Sequence, residues 1–404
     1  MLKRIQNNTH PKGAINYALS SMLERGAYYG FRALLIIYLL GETIAMDRML
    51  ALSIIGLLTG STILSKVIGA LLGDLILGNR RTILIGGILQ VMGIFSLFIP
   101  TTTGVYIGVF LMILGNGLFS PNLTANFGKL YFKKTTLLDA GFTLLYLLVN
   151  LGTFFGIMLI GYLGEKLGYR IGFILCGILM LCSLIPIVNS QEIKHNNNPT
   201  TNFNLNKRVS SILVVILLVS IFWTIHEIVN IRLNDLQTQF MGISSIGIPR
   251  ELWLSLDSWV TFPIGIILFI LWNYFYSSQF FKLTLGFLFG ILYIGVLLII
   301  PQTVTEHHAV LYYIAILLLS ISEIHIAPIV HSVLTKYSNP KYLAIVISLV
   351  FLPSKLLYII LGLFKNKFID NPILGLKFAI TSMSIIGIGL ITYIILNKRP
   401  KSKL

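Results

Sequence analysis

The chain has 404 residues, 56% of them hydrophobic and only 11% charged, with a mean hydropathy of +0.87. Soluble domains carry about a quarter charged residues, so composition argues against a soluble globular enzyme and for an all-α polytopic membrane protein. The net charge of +16 would suit a nucleic-acid partner, but the basic residues follow the loops between apolar runs, so the partner it implies is the lipid bilayer.

A helix that crosses a bilayer needs about 20 apolar residues. On that measure twelve spans are predicted, at 14–40, 50–77, 81–100, 104–131, 138–164, 169–189, 209–232, 251–274, 281–301, 308–335, 341–364 and 373–397. Residues 1–13 are polar, and no cleavable signal peptide is expected. The first span carries Glu24, Arg25 and Arg32 inside an apolar run. An ionisable group at that depth costs a few kcal/mol and marks a functional site by default. At about 100° per residue, Ser21, Glu24, Arg25, Tyr28, Tyr29 and Arg32 fall within an arc of about 140°. Snorkelling explains one such charge, not three on one stripe.

The second span holds Lys66 and ends in Gly69-Ala-Leu-Leu-Gly-Asp74, followed by Gly78-Asn79-Arg80-Arg81-Thr82-Ile83. Gly78 permits a tight turn, and Asp74 can cap or pair with a neighbouring helix. Span 4 contains Gly115-Asn-Gly117-Leu-Phe-Ser120-Pro121-Asn122, and span 5 contains Tyr146-Leu-Leu-Val-Asn150-Leu-Gly152. Cys176 and Cys182 share span 6 and read as small apolar residues. The Asn-rich stretch 190–208 has almost no apolar content and reads as a linker. It divides the chain into an amino-terminal bundle, 1–189, and a carboxy-terminal bundle, 209–404, of six spans each. Span 7 carries Trp223, His226, Glu227 and Asn230, with Trp223, Glu227 and Asn230 on one stripe; span 8 carries Asp257, span 10 Glu323 and His325, and span 11 Lys355. A desolvated Asp257 could take up a proton. Each histidine alone reads as a satisfied structural group, with proton carriage as the alternative.

Most of the 30 Lys and Arg lie in the termini and even-numbered loops, among them Arg80, Arg81, Lys129, Lys133, Lys134, Lys207, Lys282 and Lys336. That bias puts both termini in the cytoplasm. No Walker A, His-Glu-x-x-His or Cys-x-x-Cys motif occurs, so no enzyme activity, cofactor or metal is expected.

Several segments together resemble the proton-dependent oligopeptide transporter family, the peptide branch of the major facilitators. Glu24-Arg25-Gly-Ala-Tyr28-Tyr29-Gly30-Phe-Arg32-Ala33 is similar to the family's first-helix motif, and Gly69 through Gly93 to its span 2–3 signature. The span 4, span 5, span 7 and span 10 segments resemble its motifs in the same order, over residues 11 to 365. The resemblance implies two six-helix bundles and proton-coupled import of di- and tripeptides across a bacterial cytoplasmic membrane by a monomer. It implies that Arg25 receives the peptide carboxylate beside Tyr29, Arg32 and Asn150, and that Glu323 faces the amino terminus with Trp223 lining the pocket. Glu24 would belong to the proton-coupling group, for which Glu227, Asp257 and His226 are further candidates.

The chain departs from the family in three places. Ser21 replaces the first Glu of the helix-1 motif, Ser120 the span-4 Lys, and Ile63 a pocket Tyr. Loss of both members of a buried ion pair can be nearly neutral where loss of one is costly. Two lysines, Lys66 and Lys355, stand where the family has none; each either restores a cation to the cavity or pairs structurally. The departures leave open the same fold moving another small zwitterion or anion with altered coupling. A non-transporting sensor or scaffold is the weaker alternative.

Overall fold

The computed structural model describes residues 3–4, 8–190, 204–243, 252–253, 255–350, 352–362 and 365–398. Twelve long helical segments follow one another in the described residues, with a short helix, Lys365–Asp370, between the last two. They are α1 (Ala14–Leu40), α2 (Arg48–Leu77), α3 (Asn79–Ser96), α4 (Thr102–Leu130), α5 (Thr135–Leu167) and α6 (Tyr169–Val188). Then come α7 (Leu205–Met241), α8 (Leu256–Tyr274), α9 (Gln279–Ile299), α10 (Glu306–Tyr337), α11 in two pieces (Leu343–Leu349 and Leu352–Gly362) and α12 (Pro372–Lys398). Ten of these are long and apolar enough to cross a membrane. The other two are α1, which carries the charged stripe, and α3, which opens on Asn79-Arg80-Arg81. The chain is an all-α polytopic membrane protein.

Local chemistry sets the breaks. The Asp47 carboxylate accepts from the backbone N–H of Met49 (2.9 Å) and Leu50 (3.2 Å) and so starts α2. Thr101 does the same for Gly104 at the start of α4. Gly78, at φ 83°, turns the chain between α2 and α3 in a conformation that a side chain would strain. The helices have two apolar faces of different fate. On α2, Ala51, Ile54, Leu58, Thr62, Ser65 and Gly69 are buried, while Leu57, Leu64, Ile68 and Leu71 are exposed and would face lipid.

Some expectations shift. α7 runs nine residues past the predicted end at 232, because Arg232 is buried there: it pairs with Asp235 and donates to the Ile300 and Pro301 carbonyls. α8 begins at Leu256, not 251. The central part of the expected linker, 191–203, lies outside the described residues.

α1 packs against α5 and α6, α4 against α2 and α3, α9 against α10 and α12, and α7 against α10, α11 and α12. Small residues permit the closest approaches: a Cβ on Gly152 of α5 would lie 2.0 Å from the Met22 carbonyl oxygen of α1. The two sets of six meet through α5 with α8 and α10, and through α2 and α4 with α11.

The face where α1 begins, here the base, is tied across the two sets. Asp139, at the start of α5, pairs with Lys282 of α9 and accepts from Gln279 (3.1 Å) and Ser332. Asp74 accepts from Asn79 (2.9 Å) and from the Ile345 N–H at the start of α11 (3.0 Å). Before α1, strand β1 (Lys3–Arg4) pairs antiparallel with β2 (Phe275–Tyr276), and His10 bridges Tyr131 (2.8 Å) and Asn273 (3.1 Å). Lys282 and Lys129 are therefore not loop cations, as their positions suggest. Lys282 is 1% exposed beneath the Trp272 ring at 4.2 Å, and Lys129 is buried against Asn79. Each has a buried acceptor supplied by a distant helix.

Candidate functional site

A cavity of about 930 Å³ lies between the two sets of helices. Its size suits a small ligand rather than a macromolecule. Arg25, Tyr29, Arg32, Asn150, Trp223, Glu323, His226, Glu227 and Asp257 all line it. The tenth candidate, Glu24, sits behind the wall. It is 1% exposed, with one oxygen taken by Asn116 Nδ2 (2.9 Å) and the other by Arg25 Nε (3.3 Å). Arg25 is thereby held by a buried anion and donates its Nη2 to Ser120 Oγ at 2.8 Å. The serine standing in for a lysine supplies a neutral acceptor where a second cation would repel.

The close approach of α1 and α5 places Tyr146 and Asn150 beside this cluster. Tyr146 donates to Glu323 Oε2 at 2.9 Å across the divide between the two sets. His226 Nε2 lies 3.7 Å from Glu323 Oε1 and packs edge-on to Trp223. Glu227 pairs with Lys355 at 2.7 Å, both partly exposed to the cavity. Asp257, near the start of α8, is exposed to the cavity as well.

The two walls differ in charge. Arg25, Arg32 and Lys66, with Glu24 behind them, come from α1 and α2; Glu227, Asp257 and Glu323, with Lys355, come from α7, α8, α10 and α11. A molecule with a negative and a positive end, each able to accept or donate hydrogen bonds, matches this layout. Among the described residues no group of three or more His, Cys, Asp or Glu is arranged to hold a metal ion.

Sequence reasoning gave no site role to Tyr146 or His331, which also line the cavity. Tyr146 carried a signal, since it stands one turn before Asn150. His325 lies elsewhere, buried between Trp272 and Phe289 with Nδ1 on the Ile321 carbonyl, as a structural histidine would be. Asn230 does not line the cavity although it shares a stripe with Glu227. Cys176 and Cys182 are free thiols, the first buried.

Residues 80–254 match the POT family profile. The uncharacterized transporter YclF of Bacillus subtilis (strain 168) is 34% identical over 181 residues, which is 44% of this chain and 37% of that protein. A di-/tripeptide transporter of Lactococcus lactis subsp. lactis (strain IL1403) is 32% identical over 181 residues, 43% of this chain and 36% of its own length. Peptide transporter YePEPT of Yersinia enterocolitica subsp. palearctica is 34% identical over 183 residues, 44% and 36%. The match thus spans little more than a third of these curated relatives. Among solved structures, a POT family transporter in complex with a thioalcohol-conjugated peptide superposes with a TM-score of 0.67 at 20% identity, covering 93% of this chain and 96% of that one. A peptide transporter POT in complex with sulfate gives 0.64 at 20% identity, covering 95% and 94%. Likeness at this identity establishes the fold.

Proposed function

We propose that this chain is a member of the POT family and a secondary active transporter that imports di- and tripeptides with protons by alternating access. The observation that carries this reading is the cavity with cations on one wall and anions on the other, each wall built by a different set of six helices. The peptide carboxylate would go to Arg25, beside Tyr29, Arg32 and Asn150. The amino terminus would go to Glu323, with Trp223 against the peptide's side. Glu24, Glu227, Asp257 and His226 are the groups that would carry or relay the proton.

Charge complementarity explains how cargo drives closure. An empty cavity that loses water around unpaired charges bears their desolvation cost. A bridging zwitterion supplies a partner to each wall and so lowers the free energy of the occluded state more than that of the open one. On this reading the two moving units are 1–189 and 209–404, joined by 190–208. The base tied by Asp139–Lys282, Asp74–Ile345 and His10 is then the cytoplasmic gate, held shut in this structure. The protein would act as a monomer in a bacterial cytoplasmic membrane with both termini inside.

Uptake of labelled Ala-Ala into proteoliposomes, with and without an inward pH gradient, tests the function. Gradient-driven accumulation is expected, and Arg25→Ala should abolish both uptake and the thermal stabilisation by Ala-Ala. Stabilisation by amino acids or inorganic anions but by no peptide would overturn the proposal.

A further inference from the structure

Lys66 stands on α2 at the cavity wall. Ser65 of α2 donates to the Ile113 carbonyl of α4 (2.7 Å), and a Cβ on Gly69 would lie 2.2 Å from the Gly117 carbonyl oxygen. This contact clamps one face of α2 to α4. Thr59, Thr62 and Lys66, on the flank of the helix next to that contact, line the cavity. Among the described residues the Lys66 ammonium makes no hydrogen bond or ion pair, although Arg25 and Glu24 are within electrostatic reach. Glu24 is instead shared between Asn116 and Arg25. Arg32 likewise has no hydrogen-bonded partner among the described residues. Lys355, the other unexpected lysine, is neutralised by Glu227.

The wall formed by α1 and α2 therefore holds two cations beyond its one buried ion pair. A peptide's terminal carboxylate at Arg25 lies beside Arg32, which leaves Lys66. A cation left unpaired in a cavity that closes over its cargo is costly. We propose that Lys66 forms a second anion subsite, and that the transporter prefers peptides bearing an acidic side chain in addition to the terminal carboxylate. This rests on the function proposed above and narrows its substrate class. The ammonium donates to the side-chain carboxylate through charge-assisted hydrogen bonds, which a neutral amide of equal shape forms more weakly.

The test compares binding of Ala-Glu, Ala-Gln, Ala-Lys and Ala-Ala to the purified full chain by isothermal titration. Wild type is expected to bind Ala-Glu roughly tenfold more tightly than Ala-Gln, the scale of one strong charged contact. In Lys66→Met that ratio should fall to about one; Lys66→Arg should keep the preference and shows that folding is not the cause. Equal affinity of wild type for Ala-Glu and Ala-Gln, or a preference that survives in Lys66→Met, overturns the subsite and leaves peptide transport standing. Failure of wild type to bind any of the four overturns both.

Discussion

Replacing Asp139 with alanine should destabilise the protein more than any other single change at its base. The carboxylate is 4% exposed and faces a Lys282 side chain that is 1% exposed. It also accepts from Gln279 and Ser332, so its removal strands three donors. Deleting one member of a buried pair costs roughly 3–5 kcal/mol, mostly because the other charge remains buried and unpaired. The cation–π contact of Lys282 with Trp272 at 4.2 Å survives, but it offsets only about 1–2 kcal/mol. The companion variant Asp139→Leu/Lys282→Met removes both charges at similar volume and should recover most of the loss. Melting of the detergent-purified protein, followed by intrinsic tryptophan fluorescence, reads the difference. The pair also links the two sets of helices. A loss of about 3 kcal/mol on one side of an open–closed equilibrium shifts populations by roughly a hundredfold. A double variant no more stable than Asp139→Ala, or a single variant that melts with wild type, refutes the assignment of Asp139–Lys282 as a buried structural lock.

Two further outcomes follow from packing and titration. Gly152→Leu puts a side chain where even a Cβ would lie 2.0 Å from the Met22 carbonyl oxygen, so α1 and α5 must separate; overpacking of this kind costs about 1–3 kcal/mol or more, and peptide binding at Arg25 and Asn150 should weaken along with the melting temperature, whereas unchanged binding would show that the close contact does not position the site. His10 titrates below the usual histidine value because it is buried, with the Asn273 hydrogen bond opposing and the Lys134 charge reinforcing that effect; a depressed histidine contributes stability above its unfolded pKa that is lost as pH falls, so the residues before α1 should become protease-sensitive on acidification from neutral pH, and a cleavage rate independent of pH would show that His10 does not hold them.

How much of this was legible depended on whether the signal was local. The stripe of Glu24, Arg25 and Arg32 stood out because charge is anomalous in an apolar run, and the structure turns Arg25 and Arg32 into the cavity. Trp223 with Glu227, and Glu323 ahead of Pro328, were readable for the same reason. Lys282 was not, because three residues from a helix start a lysine looks like a loop cation; its burial is decided by Asp139, 143 residues earlier. Tyr146 stood in the span-5 motif with Asn150, but nothing local announced that Glu323, 177 residues away, accepts its hydroxyl. Pairings of that range are created by the fold and leave no periodicity in the chain. The polar residues before α1 carried no pattern that announces β1 or the His10 bridge.

The substitutions at Ser21 and Ser120 become intelligible as a redistribution of charge. Removing an acid and a base together avoids the cost of stranding either one, and Ser120 still orients Arg25 through its hydroxyl at 2.8 Å. The cation missing from α4 has a counterpart on α2, where Lys66 enters the same cavity. Arg25, Arg32, Lys66 and Lys355 then stand against Glu24, Glu227, Asp257 and Glu323, and the formal charge around the cavity cancels. A neutral zwitterion preserves that balance when water is excluded. A lone proton does not, and in a low-dielectric enclosure an uncompensated charge is expensive. Cargo that brings one extra negative charge restores neutrality when a proton enters with it. The balance of the walls and Lys66, which has no hydrogen bond or ion pair among the described residues, thus point to the same acidic cargo for separate physical reasons, one global and one local.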